Sequence, residues 1–397
     1  MQSLTWSEIV DPPCPGRRTS QPLRGALTVV HALEDALGHP AGTPRWRTPS
    51  AGGIYPYEVY LAPEQAPHLL AHVDLHRRVV TTSPEAAAAM YDADGFLYAL
   101  CGRPWLSMRA YGRRGFLYHM IDLGHALFNA ALLCDSGDAQ DTRGVKHFAS
   151  TVCAVSPTAQ IVCIDRLTTG IAAVESGGWR HYVVHTGEIL PPRTEYETSH
   201  TRTLNTASRE RLRRLAGSHV AGLREAIEER KSAKRFLDST EADGRINGLL
   251  ETLPERISSV TSHLGLPDSS IRVLTPDVRA DLLPTARDAT AALAQQEHLA
   301  PARAYIVFGL DQSQNRAIDR SARRQLLSIG TASELTYLEA ARAGTAVTGV
   351  GGIDPRIWRE ITGIDIPLYL IALGVEPEAE PSSPTPIKKL DRMNVIA

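Results

Sequence analysis

The chain has almost no net charge: 42 lysines and arginines against 44 acidic residues leave −2 over 397 residues. So even a balance sets up no global field for nucleic acid or an anionic membrane surface. It also lacks any run of about eighteen apolar residues, so no membrane span is expected. Cysteine is scarce. Cys14, Cys101, Cys134, Cys153 and Cys163 are dispersed without Cys-x-x-Cys spacing, which argues against a disulfide framework and against a structural zinc site. Met1 to Trp6 have neither the basic start nor the apolar core of a secretory leader. These absences lead to the expectation of a cytoplasmic protein without a metal centre. The remaining composition, 43% hydrophobic and 22% charged, is that of a globular chain long enough for two domains or one large one.

One stretch organises the reading: Thr48-Pro49-Ser50-Ala51-Gly52-Gly53-Ile54-Tyr55-Pro56-Tyr57-Glu58-Val59-Tyr60-Leu61. Pro49 to Gly53 is a turn of small residues, where backbone can approach a ligand closely. Tyr57 to Leu61 has the β-branched and aromatic content of a strand. Upstream, Arg17, Arg18 and Ser20 precede a helix over 26–37, ended by Gly38 and Pro40. Downstream, Leu69 to Leu75 reads as a short edge strand, and alanine-rich Pro84 to Tyr98 as a helix. Tyr111-Gly112-Arg113-Arg114-Gly115 then leads into a helix over 120–134. Its apolar stripe is Met120, Leu123, Leu127, Ala130, Ala131 and Cys134. Asp122, His125 and Asn129 share a second face at spacings of three and four. For His125 a hydrogen-bonded role inside a packed bundle is the better expectation, since no partner has metal-ligand spacing. Residues 159–164 and 179–185 read as strands, and the polar stretch 191–208 as an interdomain linker.

In the second half, Glu210 to Arg230 reads as a helix followed by Arg230-Lys231-Ser232-Ala233-Lys234-Arg235-Phe236. A helix over 247–264, a buried strand over 303–309, an amphipathic helix over 326–343 capped by Gly344, the glycine-rich Thr348 to Asp354, and a strand over 366–374 complete it.

Several of these strings resemble the SagB/ThcOx-type dehydrogenases of the nitroreductase superfamily. Pro49 to Pro56 is similar to their Pro-Ser-Ala-Gly-x-x-Tyr-Pro signature. Tyr111, Gly112, Arg114, Gly115, Gly124, His125 and Asn129 match a second segment, in which Ala110 stands where the family has lysine. Arg230 to Phe236, in the order Arg-x-Ser-x-Lys-x-Phe, resembles the opening Arg-Arg-Ser-x-Arg-x-Phe motif of nitroreductases.

The resemblance implies an α+β fold: two fused nitroreductase-like units, residues 1–200 and 201–397, forming an intrachain pseudo-dimer about a long central helix pair. It implies FMN as cofactor. Arg230 and Ser232 would hold the phosphate and ribityl chain, Lys234 would reach the flavin N1/O2 edge, and Lys231 would belong to the same cofactor-binding segment. Pro49, Ser50, Ala51 and Gly53 would form the partner turn, and Gly349, Gly351 and Gly352 a loop near flavin N5. Lys388, Lys389 and Arg392 would form a basic tail returning to the phosphate.

Only one motif set is complete, so one FMN per chain is expected; Arg17, Arg18, Ser20 and Arg193 remain of a second site. Tyr111 is the candidate acid–base group, with Arg109, Arg113 and Arg114 as cations able to lower its pKa. The implied activity is oxidation of a peptide-derived or other natural-product intermediate, either azoline to azole or Cα–Cβ desaturation. An NAD(P)H-dependent nitroreductase or ene-reductase, and a non-catalytic flavin-sequestering protein, are the alternatives. Biosynthetic partner proteins and further self-association are open, whereas nucleic acid is not an expected partner.

Overall fold

The structure, a computed structural model, describes residues 2–5; 22–133 save 41, 42, 44, 64, 67, 68, 70, 83, 92, 94, 103 and 113; 147–150, 154–155, 160–161 and 197–198; 220–310 save 265; and 320–377. Arg17, Arg18, Ser20, Arg193, Lys388, Lys389 and Arg392 lie outside the described residues. So do the strand expected over 179–185 and most of the expected linker.

The described strands form two sheets. The first runs β1 (Gln2–Thr5), β4 (Val79–Thr82), β3 (Ala71–Asp74), β2 (Tyr57–Pro63), β5 (Gly95–Gly102), β8 (Gln160–Ile161), β7 (Ala154–Val155) and β9 (Glu197–Thr198). β6 (His147–Ser150) pairs with β5 in parallel; the other pairs are antiparallel. The second sheet is antiparallel throughout, ordered β10 (Ser270–Leu274), β11 (Ala304–Leu310), β13 (Ile366–Gly374), β12 (Ala346–Val350).

Between the sheets lie two long helices, α4 (Arg114–Leu133) and α9 (Arg320–Arg342). α4 is buried on every side from His119 to Leu133, and α9 from Gln325 to Ala340. A helix hydrophobic on one stripe only would leave a wet face; these two must satisfy polar side chains inside the core. The hydroxyls of Ser333 and Thr336 do so by donating to Ile329 and Ala332 carbonyls of their own helix, at 2.7 and 2.8 Å. The apolar positions supply the adhesion: each fully buried leucine such as Leu123 or Leu335 contributes about 1.5–3 kcal/mol. Around the pair pack α1 (Pro22–Leu37), α3 (Pro104–Tyr111), α5 (Val220–Glu229) and α6 (Asp243–His263), while α2 (Pro84–Tyr91) packs on α1 and β2. α7 (Pro276–Leu282), α8 (Ala286–Ala292) and α10 (Pro355–Thr362) cover the far side of the second sheet, where Trp358 is fully buried against Tyr305.

Three sequence expectations are corrected. The helix over 84–98 ends at Tyr91, and Gly95–Gly102 is strand β5. Phe96, Tyr98 and Leu100 are buried at every second position, so sheet pairing outweighs the alanine-rich helix propensity before them. The strand near 69–75 is interior: β3 is flanked by β2 and β4, with β4 covered in turn by β1. The central helix starts at Arg114, one turn and more before Met120, because the half-buried Phe116 and Leu117 already pack on the core.

Candidate active site

The Pro49 turn is held by the polar face of α4. Ser50 Oγ donates to Asp122 Oδ2 at 2.6 Å, and Ala51 N donates to Oδ1 at 3.3 Å. Three residues along the helix, His125 Nδ1 donates to the Pro49 carbonyl at 3.2 Å. One turn further, the Asn129 amide donates to the Ala36 carbonyl at 3.2 Å. The face spaced by three and four is thus a ladder that docks α1 and the turn. His125 is fully buried and structural, with its pKa lowered to about 3 by burial. Burial pushes Asp122 up to about 7, against the hydrogen bonds from Ser50 and Ala51. Within the turn Gly52 and Gly53 have φ of 63 and 65°, where a Cβ is strained. Tyr55 shares that region at φ 50°, and its N–H donates to Ser50 Oγ at 2.8 Å.

Tyr111 ends α3 and presses its hydroxyl on the turn: a Cβ at Gly52 would lie 2.3 Å from Tyr111 Oη. The ring of Tyr118 meets Tyr111 edge-on, centroids 5.0 Å apart at 85°. Tyr118 in turn abuts the glycine loop of the other half, since a Cβ at Gly351 would lie 2.3 Å from Tyr118 Cε1. Gly349 belongs to strand β12 rather than to the loop. Its N–H donates to Tyr337 Oη at 2.6 Å, while Tyr369 Oη fills the place of a side chain there. Tyr337 Oη also bonds Ser232 Oγ at 3.1 Å. Gly352 is fixed through its carbonyl, which accepts from Gln296 Nε2 at 2.6 Å. Gly52, Tyr111, Tyr118 and Gly351 therefore make one line of contacts across the two halves, and Gly349, Tyr337 and Ser232 make a second beside it.

The basic segment runs along the edge of β12, where Ala233 N donates to the Val347 carbonyl at 2.8 Å. Lys231 and Lys234 are exposed; Lys231 Nζ pairs with Glu376 at 2.7 Å. Arg230 is turned inward and 2% exposed. Next to these residues Glu334 is fully buried; burial pushes it up to about 7, and Arg230 and then the Asn129 amide pull it back. A cavity of about 350 Å³ is lined by Lys231 and Ala233 of this segment with Arg245, Val347 and Glu376, and by none of the tyrosines.

Two features depart from the sequence reading. The Tyr111 phenol is raised, by burial first and then by Asp122. Of the arginines expected to lower it, Arg109 is exposed, Arg114 lies 6.0 Å from the Tyr118 ring instead, and Arg113 lies outside the described residues. The Tyr111 phenol is accordingly protonated at neutral pH. Tyr118, Tyr337 and Glu334 carried no sequence signal, since their positions look like ordinary helix residues. Among the described residues no cluster of three metal-ligating side chains exists, and no helix is long and apolar enough to cross a membrane.

No family profile and no curated protein matches the chain. Solved structures do. The chain has the fold of a protein described as a nitroreductase from Anabaena variabilis, with TM-score 0.58 and 14% identity over 94% of this chain and 92% of that one. A protein described as an NADH dehydrogenase/NAD(P)H nitroreductase from Bacteroides thetaiotaomicron matches 44% of this chain and 97% of its own, at 21% identity and TM-score 0.29. The NADPH:FMN oxidoreductase of Vibrio harveyi, complexed with NAD+, matches 41% and 74%, at 17% identity and TM-score 0.29.

Proposed function

We propose that this chain is an FMN-dependent oxidoreductase with one flavin site, assembled within a pseudo-dimer of two nitroreductase-like units, residues 1–200 and 201–397. Its substrate is a peptide-derived or other natural-product intermediate, oxidised from azoline to azole or desaturated between Cα and Cβ. The observation that carries this reading is the line from Gly52 through Tyr111 and Tyr118 to Gly351, which joins the turn of one half to the glycine loop of the other.

The residues fit such a group. Backbone is open at Gly53, where a Cβ would meet only Tyr55 Cε2 at 3.9 Å, whereas the side chains of Tyr111, Tyr118 and Gln296 cover Gly52, Gly351 and Gly352. Ser232, Lys231 and Lys234 supply a hydroxyl and two exposed ammonium groups, a donor set suited to a phosphate. FMN, when bound, supplies hydride acceptance at N5. The chain's own part is orientation and proton control. Asp122 and His125 fix the turn, and Gln296 fixes Gly352. Tyr111, neutral and 39% exposed, sets its hydroxyl against Gly52 of the turn. Ala110 offers no acid–base group, so Tyr111 and Tyr118 are the phenols available there.

Reconstitution with FMN, followed by anaerobic addition of an azoline-bearing peptide, tests the reading. About one FMN per chain should bind, and the peptide should bleach it. Two equivalents of flavin, a preference for FAD, or no flavin at all would sink the one-site proposal. Rapid bleaching by NAD(P)H and none by the peptide would mean a reductase instead.

A further inference from the structure

Arg230 opens the segment whose resemblance assigns it to the flavin phosphate, yet its surroundings are those of a cross-link. Its Nε donates to the Arg47 carbonyl at 3.1 Å and an Nη donates to the Trp46 carbonyl at 2.9 Å. The guanidinium carbon lies 5.4 Å from the centre of the Tyr337 ring, a distance at which a cation and a π face attract. Trp46 and Arg47 lead directly into the Pro49 turn of the first half. Tyr337 belongs to α9 of the second half and holds both Ser232 and Gly349 N–H. Arg47 passes the connection on: its guanidinium donates to the Glu34 and His39 carbonyls at 2.9 and 2.8 Å. Glu334 of α9, also buried, feels the Arg230 charge, which pulls its pKa back down against burial. A planar five-donor group suits this two-carbonyl grip, whereas an ammonium would reach one carbonyl at a time. Lys231 and Lys234, one and four positions on, stay exposed; Lys231 Nζ pairs with Glu376 at 2.7 Å, and the Lys234 N–H donates to the same carboxylate at 3.1 Å, so a phosphate there would displace Glu376.

We propose that Arg230 is a positioning residue. It ties the backbone of Trp46 and Arg47 to Tyr337 and so sets the Pro49 turn opposite the glycine loop, while recognition of the phosphate falls to Lys231 and Lys234. The phosphate part rests on the flavin reading above; the tie between the halves does not.

FMN and riboflavin differ only by the phosphate, so the ratio of their affinities separates the roles. Fluorescence titration with both flavins is made on the wild type, Arg230→Gln, Arg230→Lys and the double variant Lys231→Gln/Lys234→Gln. Melting temperature is read on each. Arg230→Gln should weaken both flavins by the same factor, roughly tenfold or more, keep the preference for FMN, and lower the melting temperature. Arg230→Lys should fall between it and the wild type. The double lysine variant should lose most of the FMN preference at an unchanged melting temperature.

A selective loss of FMN preference in Arg230→Gln would overturn the assignment, as would wild-type affinities and melting temperature in that variant. An intact FMN preference in the double lysine variant would overturn the phosphate half. If Arg230→Gln does not fold, the ratio is read on Arg230→Lys. If the wild type binds neither flavin, the functional reading fails, and the melting temperatures of the two Arg230 variants decide the tie: a drop supports it, no drop overturns it.

Discussion

Gly124 and Gly330 face each other where α4 crosses α9, and a Cβ built on either would lie 2.8 Å from the other's Cα. The same Cβ at Gly330 would lie 2.1 Å from the Ile121 carbonyl oxygen, and at Gly124 it would lie 2.4 Å from the Leu327 carbonyl oxygen. The obstacles are backbone, so no side-chain rotation relieves them. Close approach here also lets Thr331 Oγ1 donate to the Gly124 carbonyl at 3.4 Å. Gly330→Ala should therefore force the helices apart. Overpacking of this kind costs about 1–3 kcal/mol, occasionally more. Urea unfolding checks it, and because the crossing holds the turn and the glycine loop in register, flavin affinity should fall in parallel. A Gly330→Ala protein with unchanged midpoint and slope would show that the crossing tolerates separation.

Stability should depend on pH through four buried groups whose effects partly cancel. Asp122 and Glu334 are pushed up to about 7 by burial. Their folded forms hold a proton that the unfolded chain releases at ordinary carboxylate pH, so their contribution is full at low pH and lost as pH rises through about 7. His119 and His125 are lowered to about 3, again by burial. They act the other way: below the ordinary histidine pKa of about 6.5 the unfolded chain takes up protons that the folded one refuses. Two losses and two gains of a proton leave the curve nearly flat between about pH 4.5 and 6.5, then falling above it. Glu334→Gln should remove one carboxylate, so that stability now rises with pH across the flat region and falls less steeply above it. Melting temperatures at half-unit steps from pH 4.5 to 8 measure this; parallel curves for variant and wild type would show that Glu334 does not titrate there.

Tyr111→Phe should leave FMN in place and slow its reduction by substrate. The ring still packs against Tyr118, and only the hydroxyl on Gly52 is lost. Loss of an acid–base group typically costs about 10²–10⁴-fold. The measurement is single-turnover bleaching of the flavin under anaerobic conditions with an azoline-bearing peptide. Bleaching at the wild-type rate would return Tyr111 to a packing role.

Local chemistry was legible in the order of residues alone. Small residues, the last two of them glycines, define the turn at Pro49 to Gly53, and their strings with Tyr111 to Asn129 and Arg230 to Phe236 carried the resemblance to a fold that the structure has. The spacing of Asp122, His125 and Asn129 placed them on one helical face, because α-helical geometry is fixed by the chain alone. What that face grips depended on a segment more than 70 residues away, and no local pattern encodes such a partner. The extent of the 84–98 helix failed for the same reason: β5 gains its stability from β2 and its neighbours, which outweighs alanine's helical preference. Tertiary structure also decided the electrostatics. Sequence neighbours suggested that arginines would activate Tyr111, but burial and Asp122 raise its pKa instead, because a pKa answers to distance and desolvation and not to position along the chain. Arg230 shows the same division: its motif was legible as a cation before a serine, whereas its direction, inward to two carbonyls of the other half, exists only once α4 and α9 have packed.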